Sequence, residues 1–352
     1  MTMGRSIVIN GRTIGEGRPV YVVAELSANH GGSYDRAVQI LEAARDAGAD
    51  AVKLQTYTAD TLTLDSDHPA FRVGGGTLWE GRRLHDLYAE AYTPWEWQPK
   101  LMARAKELGI DLFSSPFDAT AVDFLETMAV PAHKIASFEI VDLDLIRRAA
   151  RTGKPLILST GMASHDEVGE AVKTARENGA GGVMLLKCTS AYPAPPDEMN
   201  LRAMAHLAEA FDVPVGLSDH TLGIAVPVAA VALGAGMIEK HLTLSRQIPG
   251  PDSAFSLEPA ELRQMVDAVR AAEQALGSAE PAIGAAEAKS RGFRRSLWIV
   301  REIKRGEPLT SENVRSIRPA DGLAPKHLDA VLGRRAARDI PRGTPLAWDL
   351  LE

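Results

Sequence analysis

The chain of 352 residues is 45% hydrophobic, carries a net charge of −7 and has one cysteine, Cys188. Such a composition describes a folded globular chain with room for one large domain and one small, and it excludes disorder and any internal disulfide. Residues 1–17 offer no apolar core for a signal peptide, and the longest apolar segment, residues 222–238, is shorter than the roughly 20 residues of a membrane span; a cytoplasmic protein is expected.

The predicted elements begin with a strand at 21–26, an amphipathic helix at 34–47 and a second strand at 51–56. The next connection, between Thr56 and Tyr92, is abnormally long. It holds Gly74-Gly75-Gly76 and Trp79 and reads as a lid over a site. It ends at Thr93-Pro94-Trp95-Glu96, where Thr93 as N-cap, Pro94 at the first position and Glu96 closing a capping box predict a helix over 94–108. Strands follow at 111–115, 133–138, 155–160, 182–189, 213–218 and 236–241, with helices at 164–177 and 259–276 among the segments between them. Eight strand–helix units over roughly 250 residues predict an α/β fold of the (β/α)8 TIM-barrel type. An open doubly wound sheet is the alternative, but no Gly-x-Gly-x-x-Gly turn follows the first strand.

The barrel is assigned residues 1–280, and a Gly/Ala-rich linker residues 281–290. Residues 291–352 alternate strand signals, at 296–300 and 314–317, with Gly- and Pro-bearing turns, and predict a small β-rich domain that is marginal alone. Residues 290–352 hold 13 Lys and Arg against 8 Asp and Glu, so a basic module follows an acidic barrel. Without aromatic-interleaved basic clusters or a recognition-helix signal, nucleic acid is not the expected partner. Docking of the two parts on one another, or contact with an anionic substrate, is.

In such a barrel the loops after the strands build the active site. The strand ends here carry polar groups that buried strands tolerate only when paired or used. They are Glu25, Asn29 and His30; Lys53 and Gln55; Ser115; Lys134, Ser137 and Glu139; Ser159 and Thr160; Lys187, Ser190 and Tyr192; Ser218, Asp219 and His220; and Glu239 and His241. The last two strands end in His220 and His241 with one helix between them, a unit that sets neighbouring strands parallel and about 4.8 Å apart. Imidazoles at such ends can share one cation, although either alone is more often a hydrogen-bonded core residue, and the pair together reads equally as a metal site or as core. Two protein ligands suit an open site for Mn²⁺, Mg²⁺ or Co²⁺ better than a closed zinc site. Lys53 and Lys134 read either as ion-pair partners of Glu25 and Glu139 or, with the serine hydroxyls, as a phosphate site. Cys188 reads as core.

Taken together, the segments beginning at Glu25 (Glu-Leu-Ser-Ala-Asn-His), Lys53 (Lys-Leu-Gln-Thr), Ser115 (Ser-Pro-Phe-Asp), Lys134 (Lys-Ile-Ala-Ser) and Ser159 (Ser-Thr-Gly-Met), with residues 216–221 and Glu239-Lys240-His241, resemble the sialic acid synthase family. The likeness covers nearly the whole chain, and residues 291–352 are similar to that family's antifreeze-like, SAF-type domain. Residues 25–30, 92–97 and 186–193 are most similar to its pseudaminic branch.

The resemblance implies condensation of phosphoenolpyruvate with an open-chain amino sugar and release of phosphate by C–O cleavage; in that branch the acceptor is 2,4-diacetamido-2,4,6-trideoxy-L-altrose. It implies that His220 and His241 hold a divalent metal, Mn²⁺ first, and that Glu25 is the acid/base. Lys53, Ser115, Lys134, Ser137, Ser159, Ser190 and Ser218 then bind phosphoenolpyruvate, with Ser190 standing where sialic acid synthases have asparagine. Gln55, Glu139, Tyr192 and Asp252 line the sugar side. Arg318 corresponds to an arginine that the antifreeze-like domain inserts into the partner subunit's barrel, which implies a domain-swapped homodimer. N-acetylneuraminic or legionaminic acid synthesis differs only in the acceptor. A Schiff-base aldolase acting through Lys53, Lys134 or Lys187, and a non-catalytic carbohydrate-binding barrel, are the alternatives of other classes.

Overall fold

The computed structural model describes residues 5–278, 280 and 282–352, which divide into two compact units, Met1–Gly277 and Ser278–Glu352. The first opens with an antiparallel hairpin of β1 (Ser6–Ile9) and β2 (Arg12–Gly15). Eight strands then form a closed parallel barrel: β3 (Tyr21–Glu25), β4 (Ala51–Thr56), β5 (Asp111–Pro116), β6 (His133–Ile135), β7 (Leu156–Ser159), β8 (Val183–Cys188), β9 (Val215–Asp219) and β10 (Met237–His241). β10 pairs with β3 to complete the ring, so the expected (β/α)8 fold is the observed one.

Strand periodicity explains how the chain fills this ring. Alternate residues such as Val22, Ala24, Val52, Leu54, Leu112 and Leu158 face outward into one large core shared with helices including Tyr34–Asp46, His165–Glu177 and Pro259–Leu276. The intervening residues face the lumen, and along each strand they change from apolar to polar. Tyr21, Val23, Ala51, Phe113, Ile157, Met184, Leu186 and Met237 form a separate inner cluster near the strands' starts. Two residues further along the same strands stand Glu25, Lys53, Ser115, Ser159, Cys188 and Glu239. The lumen is therefore an apolar plug beneath a polar floor.

The hairpin closes the bottom. Ile7, Ile9 and Ile14 join the inner cluster, and Gly182, at φ +152°, leaves room for Ile7, whose Cγ2 lies 2.8 Å from where a Cβ would stand. No strand was expected before residue 21, so the hairpin corrects that reading. The signal was present: Asn10 and Gly11 both adopt positive φ, the pattern of the Asn-Gly hairpin turn.

The helix start at Thr93 is also corrected. A 3₁₀ turn, Trp95–Trp97, precedes the α-helix Gln98–Leu108, and neither has a side-chain cap. Thr93 is fully buried, and its hydroxyl lies 3.3 Å from His30 Nε2. Capping and burial compete for one hydroxyl, and the buried imidazole takes it.

The second unit pairs β11 (Ser296–Ile299) with β12 (Val314–Ile317) antiparallel over a small core that includes Leu297, Ile299, Ile303, Leu309, Val314, Val331 and Leu346. Residues 285–290, placed in the expected linker, form the helix Ala285–Ser290; Pro281 lies outside the described residues. Among the described residues no helix is long and apolar enough to cross a membrane.

Candidate active site

At the C-terminal ends of the barrel strands, four buried charges share one network. Lys53 Nζ lies 3.1 Å from Glu25 Oε2 and 2.8 Å from Glu239 Oε1. Lys134 Nζ lies 3.9 Å from the same Glu239 oxygen and donates to Ser159 Oγ at 2.6 Å, while Ser218 Oγ donates to Glu239 at 3.0 Å. Register produces this crowding: Glu25 stands opposite Lys53 in the β3–β4 ladder, and Glu239 opposite Ser218 in the β9–β10 ladder.

Burial sets the protonation of the four groups unequally. It pushes the Glu25 carboxyl up, and Lys53 only partly restrains it. Burial acts on Glu239 in the same sense, but Lys134 and Lys53 with two hydrogen bonds outweigh it and hold this carboxylate low. Burial lowers Lys134 to about 8 against the pull of Glu239. For Lys53 the two carboxylates overcome burial, so its ammonium persists.

Hydroxyl groups surround these ammonium groups. Ser115 Oγ is buried without a hydrogen-bond partner among the described residues. Gly161 brings Ser137 and Ser190 together: a Cβ there would stand 2.6 Å from Ser137 Oγ and 2.5 Å from Ser190 Oγ. That cradle, two lysines and the unspent Ser115 hydroxyl suit an oxyanion.

Beside it sits the histidine pair. His241 is the β3–β10 register partner of Glu25, and its ring lies 5.3 Å, centroid to centroid, from that of His220. His220 Nδ1 is 3.2 Å from the Thr189 carbonyl. A carbonyl only accepts, so Nδ1 carries a proton and Nε2 is the atom left to face a cation. Among the described residues His241 Nδ1 is buried with no partner, and burial, reinforced by His220 and Lys53, holds that ring neutral. His241 thus offers a divalent cation a lone pair, while on His220 burial is outweighed by Cys188 and the Thr189 carbonyl, which favour the imidazolium, so a cation there would displace the Nε2 proton. Among the described residues, no group of three or more His, Cys, Asp or Glu is arranged to enclose one. Cys188 is buried as expected, but in the wall of this site, with Sγ 3.8 Å from His220 Nδ1.

A second chain of hydrogen bonds leads from Glu25 towards the rim. Gln55 Nε2 donates to Glu25 Oε1 at 3.1 Å and to Ser27 Oγ at 3.0 Å, and Ser27 Oγ donates to Asp252. Glu139 Oε2 is buried and unpartnered among the described residues, and burial raises its carboxyl to about 7. Tyr192 packs its ring 4.4 Å from His220. The long segment after β4 then crosses over: Trp79 Nε1 donates to the Pro251 carbonyl at 3.0 Å, and its ring lies 5.6 Å from Tyr192.

Glu25, Lys53, Gln55, Lys134, Ser159, Ser218, His220, Glu239 and His241 thus meet at one rim, whereas Asp219 pairs with Lys240, His30 with Thr93, and Asn29 with the Leu242 carbonyl and Ser256. Arg318 is exposed in the second unit. Lys187 is turned away, its Nζ donating to the Cys188 carbonyl at 2.6 Å. In the sequence Glu239 is only a strand-end charge without a role; its place between two lysines is a tertiary fact. Trp79 was seen as part of a lid, without its partner.

Residues 40–281 match the NeuB family, and residues 294–352 match the SAF domain. The chain is 46% identical over 329 residues to a pseudaminic acid synthase from Campylobacter jejuni, covering 94% of this chain and 96% of that one. It is 45% identical over 336 residues to a pseudaminic acid synthase from Helicobacter pylori, covering 95% and 98%. The crystal structure of an N-acetylneuraminic acid synthetase from Leptospira borgpetersenii, in complex with citrate, superposes with a TM-score of 0.73 at 32% identity, covering 82% of this chain and 95% of that one.

Proposed function

This chain belongs to the NeuB family, and from that premise we propose that it is a pseudaminic acid synthase. It joins phosphoenolpyruvate to open-chain 2,4-diacetamido-2,4,6-trideoxy-L-altrose. The methylene carbon of the enol bonds to the aldehyde carbon, and the aldehyde oxygen takes up a proton. Water adds to the former enol carbon, and the bond from that carbon to the phosphate oxygen breaks. Phosphate leaves with the bridging oxygen.

The observation that carries this reading is the meeting of two ammonium groups, Lys53 and Lys134, with the Glu25–His241 register pair at one rim of the barrel. Lys53, Lys134, Ser115, Ser137, Ser159, Ser190 and Ser218 bind the phosphate and carboxylate of phosphoenolpyruvate. An arriving anion repels the Glu25 carboxylate and favours its neutral form, which burial already favours. Glu25 is then a proton donor within the site, suited to the aldehyde oxygen. His220 and His241 would hold a divalent cation, Mn²⁺ with Mg²⁺ or Co²⁺ as alternatives, which supplies Lewis-acid polarisation of the aldehyde. Gln55, Glu139, Tyr192 and Asp252 line the sugar side.

The working unit is a domain-swapped homodimer in which Arg318 of the partner subunit grips the sugar. Exposed apolar side chains on loops after the strands, among them Phe138, Val141, Met162 and Leu222, support a covered rim. One buried cysteine and a phosphoenolpyruvate-dependent reaction suit the cytoplasm.

Incubation with phosphoenolpyruvate and each candidate sugar tests the reading. Phosphate release with the L-altro acceptor is expected. Turnover only with manno-configured sugars would make the enzyme an N-acetylneuraminic or legionaminic acid synthase. Sugar binding without phosphate release from any acceptor would leave a carbohydrate-binding barrel. A borohydride-trapped pyruvate adduct, with activity indifferent to chelators, would indicate a Schiff-base aldolase.

A further inference from the structure

We propose that Lys240 and Asp219, which lie outside the lumen, are positioning residues that set the placement of the histidine pair. The inference rests on the reading that His220 and His241 hold the cation. Along β9 and β10 these two residues alternate with Ser218, His220, Glu239 and His241, so they project to the opposite face of the sheet. They are direct register partners, and both are fully buried.

Lys240 Nζ donates to Asp219 Oδ2 at 2.5 Å and also to the Thr221 carbonyl oxygen. Asp219 in turn accepts from the Thr221 backbone N–H and from its hydroxyl, each at 3.1 Å. Residues 219 and 221 flank His220, and Lys240 immediately precedes His241. One ammonium group beside one histidine therefore fastens the chain on both sides of the other. The remaining freedom of His220 is removed from within the barrel, where Thr189 orients the ring and the Ala194 N–H bonds the His220 carbonyl at 3.0 Å.

Stability alone is a poor reason for this pair. A buried ion pair exchanged for well-packed apolar groups is often neutral or better for folding. What an apolar pair cannot supply is a directional bond to the Thr221 carbonyl. Without it the turn after β9 can relax, and the distance between two imidazoles on separate strands is no longer set.

Titration of metal-free full-length protein with Mn²⁺, followed by the loss of the free-ion electron paramagnetic resonance signal, tests the assignment. Wild type should bind, and His220→Ala and His241→Ala should not. The double variant Asp219→Asn/Lys240→Met should weaken Mn²⁺ about 10–100-fold, as loss of outer support to metal ligands typically does. Thr221→Val, which removes one hydroxyl and decides the matter if the double variant does not fold, should weaken it severalfold. Phosphoenolpyruvate binding in chelator should stay within about twofold of wild type. Folded variants that bind Mn²⁺ as tightly as wild type would overturn the proposal, as would equal losses of Mn²⁺ and phosphoenolpyruvate, which mark a merely structural pair. Mn²⁺ binding unaffected by loss of either histidine would instead overturn the metal site itself.

Discussion

Lys134 and Glu239 face one another at 3.9 Å, and the same carboxylate oxygen holds Lys53 at 2.8 Å. One buried anion thus keeps two cations in place before any substrate arrives. The ammonium of Lys134 is present below its pKa of about 8 and lost above it. In pH profiles, kcat/KM for phosphoenolpyruvate should therefore fall as pH rises through about 8. Glu239→Gln removes the strongest influence that raises the Lys134 pKa, so the falling limb should move down by about one pH unit or more. A limb that stays in place would detach Lys134 from anion binding.

Glu25→Gln keeps the shape and the acceptor oxygen but loses the proton. Its kcat should drop by roughly 10²–10⁴-fold, the usual worth of a general acid or base. Phosphoenolpyruvate affinity should change far less, since Lys53 retains Glu239 at 2.8 Å. Steady-state kinetics with both substrates varied will separate the two effects.

His220→Ala or His241→Ala should abolish metal-dependent turnover. Chelator-treated wild type should lose activity and regain it with added Mn²⁺, whereas either variant should gain nothing. Full turnover of His241→Ala in chelator would contradict a cation at this pair.

Trp79 reaches across the mouth to Pro251, the residue before Asp252, and lies against Tyr192. Trp79→Ala should raise KM for the sugar by about tenfold, the summed worth of one hydrogen bond and one aromatic contact. KM for phosphoenolpyruvate should hardly move, because the lysines sit deeper in the lumen. Equal effects on both substrates would show that the segment acts on the whole fold.

Arg318→Ala should weaken use of the acceptor. Mixed with Glu25→Gln and allowed to exchange subunits, it should recover up to about a quarter of wild-type sites if the arginine acts across a symmetric dimer. No recovery would place Arg318 in its own subunit's site or in none.

Much of this site was legible because a strand repeats every two residues. Charges and hydroxyls at the ends of otherwise apolar runs, Glu25, Lys53, Lys134, Ser159, Ser218 and His241 among them, could be assigned to one rim once eight such runs were counted. The hairpin of residues 6–15 could have been read from Asn10-Gly11, but four-residue strands carry too short a pattern to stand out.

Local order along the chain by itself determined the barrel, the second module and the chemical character of the rim, because these depend on patterns among neighbours a few residues apart. Partner choice was decided only by the closed ring. Glu239 meets Lys53 across 186 residues of chain and Trp79 meets Pro251 across 172. Thr93 gave up its cap for His30 in the same way. Ring closure brings such groups together in a dry interior, where each buried polar atom must find a partner from whatever the fold sets beside it.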